Sequence, residues 1–112
     1  MEERLEIAKL LRQLEEKLEQ FKIRGIKKAE AEKNYKIALT QEGVRMKVEL
    51  EYPVTLIDKV IYGSDAVAEL RFKRDVAESV YDATQEEINY LKTKIRIKEE
   101  EIKQDYAMTR YQ

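Results

Sequence analysis

The chain has no cysteine and no histidine. Without cysteine there is no disulfide framework and no thiolate chemistry, which fits a reducing compartment. Without histidine the commonest general base and the commonest metal ligand are missing. Together the two absences exclude a structural zinc site and the Glu-x-x-His pairs that di-metal bundles use. The three glycines stand apart from one another, so no phosphate-cradling or dinucleotide-binding loop occurs. Uninterrupted apolar runs are only a few residues long, too short to cross a membrane. The opening Met1-Glu2-Glu3-Arg4 lacks the apolar core of a signal peptide. The expectation is a cytoplasmic protein with no membrane contact. No catalytic residue, metal ligand or cofactor is expected. The carboxylate runs Glu86-Glu87 and Glu99-Glu100-Glu101 read as solvated faces rather than ligands.

Proline is nearly absent too, and its one position is informative. Pro53 sits near the middle of a 112-residue chain. A proline cannot continue a helix interior, and it pushes the residue before it out of the α region. Charged residues make up 40% of the chain and apolar residues 43%, a mixture typical of coiled coils. The spacing predicts an all-α fold: a long antiparallel two-helix hairpin, coiled-coil-like, with a short helix at the turn. It is expected to form one domain, residues 1–112. The first arm runs over 1–51, the turn over 52–63, the second arm over 64–107 and a frayed tail over 108–112. Tyr106 and Tyr111 fall at that fraying end. Two helices alone bury only a seam, so a dimeric or larger helical bundle is expected.

On the first arm Ile7, Leu11, Leu14, Leu18 and Phe21 follow alternating steps of four and three, a heptad seam. Gly25 takes the next seam position and weakens the helix by about 1 kcal/mol relative to alanine. Tyr35, Leu39, Met46 and Leu50 continue the apolar face, with Gly43 as a second weak point. The stretch 44–51 (VRMKVELE) also alternates as a half-buried strand would. Helix is the preferred reading, because no second strand is available to pair with it. At the turn, Thr55 is placed to cap a short helix, with Asp58 completing a box-like arrangement. Gly63 suits a left-handed helix stop, and Ser64 or Asp65 caps the return. The second arm carries the strongest heptads: Val67, Leu70, Ala77, Tyr81, Ile88, Leu91, Ile95 and Ile102, interrupted by Arg74, Thr84 and Lys98. Laying the seams together places Tyr35 against Tyr81, Leu39 against Ala77 and Met46 against Leu70. It also places Phe21 against Ile95 and Glu42 against Arg74.

A net charge of -1 hides a segregation. Lys22, Arg24, Lys27 and Lys28 occur with no acid among them, as do Lys92, Lys94, Arg96 and Lys98. The expected register brings both groups side by side as a basic belt. Glu15, Glu16 and Glu19 lie beyond it on one arm, and Glu99, Glu100, Glu101 and Asp105 on the other. Such a belt serves solubility, self-assembly against the acidic end of another copy, or salt-sensitive phosphate contact. Tyr90, close by, could stack on a base. The turn region is more apolar than the rest. Tyr52, Val54, Leu56, Ile57, Ile61 and Tyr62 gather there as a candidate partner-binding tip, since clustered aromatic and aliphatic side chains anchor interfaces.

A motif runs through the middle of the chain: Tyr35 with Ala38 and Leu39, then Pro53-Val54-Thr55-Leu56-Ile57 and Gly63. Arg71, Asp75, Glu78 and Tyr81 follow, then Glu87, Ile88 and Asn89. Over roughly residues 30–100 this resembles small helical proteins encoded by phages and prophages of Gram-positive bacteria. The resemblance implies a non-catalytic accessory role in the host cytoplasm. It carries over no functional residues; the reading taken is a host or phage protein partner, with DNA replication, recombination or defence as the natural target class. Gly43 and the alternation after it depart from the smoother helical pattern of that group. The alternatives are a nucleic-acid-binding accessory protein using the belt, and a structural or chaperone-like coiled coil.

Overall fold

The computed structural model describes residues 2–110. Three α-helices and one 3-10 turn make up the fold: α1 (Glu2–Val48), α2 (Val54–Val60), the 3-10 turn Ile61–Gly63, and α3 (Asp65–Arg110). Among the described residues there is no strand. The fold is thus an all-α hairpin of two long helices joined through a short one. Residues 44–48, where a strand competed on sequence, are helical. The second arm is helical through Arg110. Tyr111, placed by the sequence in the same tail, lies outside the described residues.

Local chemistry explains the helix ends. Glu2 and Glu3 sit in the first turn of α1, with Arg45 and Lys47 in its last, each matching the helix dipole. The helix stops before Pro53 through a left-handed residue, but that residue is Glu51, at φ 56°. Tyr52 N–H then returns to the Met46 carbonyl at 3.0 Å, satisfying one of the carbonyls the helix end leaves open. Gly63, expected as the left-handed stop of the turn helix, has no positive φ. Thr55 does not cap α2. Pro53 holds the N-cap position, and its carbonyl accepts Leu56 N–H at 3.0 Å and Ile57 N–H at 3.1 Å. Ser64 precedes α3, and its carbonyl accepts Ala68 N–H at 2.8 Å. Its hydroxyl makes no cap bond and is buried without a hydrogen-bond partner.

The chain divides into two compact units, Met1–Ile23 with Asp82–Gln112, and Arg24–Tyr81. In the second unit Tyr35, Met46, Ile57, Ile61 and Val67 form a buried cluster, with Leu39, Tyr52 and Leu70 packed on it. In the first, Leu10, Leu91 and Ile95 form another, supported by Leu14. Every seam position expected on α3, from Val67 to Ile102, is buried or half-buried. On α1 the seam differs. Leu10 is buried at 7% exposure, while Leu11 stands out at 45% and Leu18 at 41%. Leu10 and the half-buried Lys17 replace them.

The register differs as well. Arg74, expected beside Glu42, reaches Glu32 at 3.8 Å. The Tyr81 ring, expected against Tyr35, lies over Gly25, where an added Cβ would meet it at 3.4 Å. Ile95 clusters with Leu10 rather than Phe21. The displacement is about ten residues, close to three helical turns. Its cause is the turn. Residues 54–63 do not simply bridge two arm ends, because Ile57 and Ile61 pack with Met46 along the end of α1. The return begins at Pro53, so α3 starts already displaced along α1.

Candidate functional site

The candidate tip belongs to the second unit and separates into an anchor and a surface. Ile57 at 8% and Ile61 at 6% exposure are buried in the core, so neither is available to a partner. Tyr52 is half-buried against the same cluster. Val54, Leu56 and Tyr62 stand in solvent, and Val60 joins them. The spacing along α2 and into the 3-10 turn matches this split: Ile57 and Ile61 are four residues apart on the core side, and Leu56 and Val60 four apart on the neighbouring side. Leu50, assigned by sequence to the seam, lies past the end of α1 and is exposed. It lines a shallow groove of about 520 Å³ together with Tyr52, Leu56 and Val60.

Charge at this groove is held in place. Arg45 Nη2 donates to Glu42 at 2.6 Å and Nε donates at 3.1 Å. These bonds hold the Glu42 carboxyl below the usual carboxylate range and raise the Arg45 guanidinium. Glu42 is therefore ionised at neutral pH and holds no proton to donate. Lys59 also lines the groove. The arrangement offers apolar surface with a fixed charge pair beside it. Arg71 lies over the Tyr62 ring, 5.3 Å from its centroid.

Two residues of the basic segments have partners within their own units. Lys98 pairs with Glu6 at 3.1 Å, and that hydrogen bond raises its pKa. Lys28 lies over the Tyr81 ring at 4.5 Å. Neither of these contacts is with the other basic segment. Lys22, Lys27, Lys92, Lys94 and Arg96 are exposed, while Arg24 is half-buried. Tyr90 is 63% exposed, with the Lys94 ammonium 5.7 Å from its ring centroid. Among the described residues no group of three or more carboxylates is placed to hold a metal ion. No helix among them is long and apolar enough to cross a membrane.

A second surface went unnoticed in the sequence. Phe72, Val76 and Val80 follow one another at steps of four, beside the α3 seam rather than on it. They line a groove of about 420 Å³ with Arg24 and Lys27 of α1. The signal was present, but the stronger seam at Leu70, Ala77 and Tyr81 concealed it. No family model, curated protein or solved structure matches the chain.

Proposed function

We propose that this chain is a non-enzymatic binding module that takes hold of another protein through its turn end. The observation that carries this reading is the groove in which Leu50, Leu56 and Val60 are all exposed above a packed core. Exposed apolar side chains gathered in one place mark interaction surfaces, whereas scattered ones do not. Val54, 59% exposed, extends the apolar surface along α2. Ile57 and Ile61 hold α2 to the core, so the surface is preorganised and little ordering entropy is lost on binding. The resemblance to phage and prophage proteins supports a target in the DNA replication, recombination or defence machinery of the host or phage.

The test is a double substitution, Leu56→Asp with Val60→Asp. Both side chains are exposed, so helicity by circular dichroism should match the unaltered protein. A target recovered with the wild-type protein and purified should bind it in calorimetry, and the double variant should bind at least about a hundredfold more weakly. Equal affinity for both proteins would move the contact away from the tip.

A further inference from the structure

The groove beside the α3 seam has a defined chemistry. Its floor is apolar, with Phe72 at 64%, Val76 at 45% and Val80 at 39% exposure. Its rim is basic, formed by Arg24, Lys27 and Lys73, and no carboxylate lines it. Glu69 approaches Lys73 only loosely, at 3.9 Å, in an exposed pair. A fitting occupant is an amphipathic helix with apolar side chains for the floor and acids for the rim. Nucleic acid fits less well, because phosphates use the rim and leave the aliphatic floor uncovered.

This chain carries such a helix. Towards the end of α3, Ile97, Glu101, Gln104 and Met108 recur at steps of four, three and four, so they share one stripe. Ile97 is 48% exposed and Met108 62%. Glu100 flanks the stripe, and Glu99 and Asp105 add negative charge nearby. Glu100 meets the exposed Lys103 at 3.7 Å, a pair that is easily exchanged, and Glu101 meets the half-buried Lys98 at 3.6 Å, whose nearer partner is Glu6.

We propose that two copies of this chain associate, the acidic end of α3 in each lying in the basic-rimmed groove of the other. The contact goes beyond the tip and leaves it free. One groove with three apolar side chains is small beside the roughly 800 Å² per partner of a stable interface. Reciprocal pairing doubles it and closes the assembly with two-fold symmetry. The resulting affinity is expected in the micromolar range.

The experiment is sedimentation velocity over a micromolar concentration series at low and high salt. The wild-type chain should pass from monomer to dimer, and more weakly in high salt. Lys27→Glu with Lys73→Glu should weaken association more than about tenfold, and so should Glu100→Lys with Glu101→Lys. All four positions are exposed, and circular dichroism checks that helicity is kept. An equimolar mixture of the two double variants should dimerise again, because one contact is then wild-type and the other is complementary with its charges exchanged. A wild-type chain that stays monomeric throughout overturns the proposal, as do double variants that dimerise like wild type. Salt-sensitive DNA binding by a monomer, lost in the Lys27→Glu, Lys73→Glu variant, would assign the groove to nucleic acid instead.

Discussion

The two compact units use the same pair of helices differently. Around Leu10, Leu91 and Ile95 the contact is a narrow aliphatic seam, and its flanks are tied by charge. Lys17 meets Glu87 there, and Glu6 meets Lys98. Between Arg24 and Tyr81 a further element, α2 with its 3-10 turn, packs against the same face and thickens the core. Cations here lie over aromatic rings as well as beside carboxylates: Arg74 over Tyr35 at 4.4 Å and Lys28 over Tyr81 at 4.5 Å. A two-helix seam buries each side chain from one direction, whereas a third element covers it from another. Stability should therefore concentrate in the second unit, where both grooves lie.

The largest test of that difference is a pair of truncations. Ile61→Ala should cost about 3 to 4 kcal/mol in urea unfolding, since Ile61 joins the cluster of three helices. Leu91→Ala should cost less, about 2 kcal/mol, because the two-helix seam can collapse around the loss. Equal costs would erase the distinction. Hydrogen exchange should show the same order, with slower exchange at Met46 and Ile61 than at Leu91 and Ile95.

Next comes the helix stop. Glu51 holds a left-handed backbone that glycine adopts freely. Glu51→Gly should raise stability by about 0.5 to 1 kcal/mol, seen as a higher melting temperature. A fall would mean the Glu51 side chain does more than occupy the turn. Gly25→Ala sharpens the same comparison from inside α1. Helix propensity favours alanine by about 1 kcal/mol, but the new Cβ meets the Tyr81 ring at 3.4 Å. The net gain should stay under about 1 kcal/mol. A loss would show that Tyr81 cannot yield, and that Lys28 and the ring form one rigid layer.

The smallest effect is electrostatic. Hydrogen bonds from Arg45 depress the Glu42 pKa in the folded protein. A depressed carboxylate contributes stability above its unfolded pKa and loses it as pH falls through the folded value. Carboxyl NMR should therefore show Glu42 titrating below the usual carboxylate range, and Arg45→Gln should return it there. Lys98 runs the other way. Its raised pKa contributes stability below the ordinary lysine value, lost only as pH rises through the folded one.

Much of the architecture is local and was legible. Heptads from Val67 to Ile102 placed α3 on its correct face, because helical period depends only on neighbours along the chain. Pro53 likewise marked the break, since its ring and missing N–H act whatever surrounds it. The candidate tip was legible as a region but not side chain by side chain. Val54, Leu56 and Tyr62 are exposed, whereas Ile57 and Ile61 are core. Apolar neighbours on one short helix look alike until something packs against one side of it.

Where local signals tie, packing decides. Leu10 and Leu11 are adjacent and equally apolar, and α3 selects Leu10. Gly63 ends the turn without a left-handed backbone, and the left-handed residue is Glu51, after α1. Register is the clearest case. Each seam repeats along its helix, so spacing alone leaves several slides open; the one adopted differs by about ten residues, not a whole number of heptads, and goes with the change from Leu11 and Leu18 to Leu10 and Lys17 on α1. The choice among those slides is made by residues 54–63 lying along α1, a packing event that no spacing in either long helix encodes.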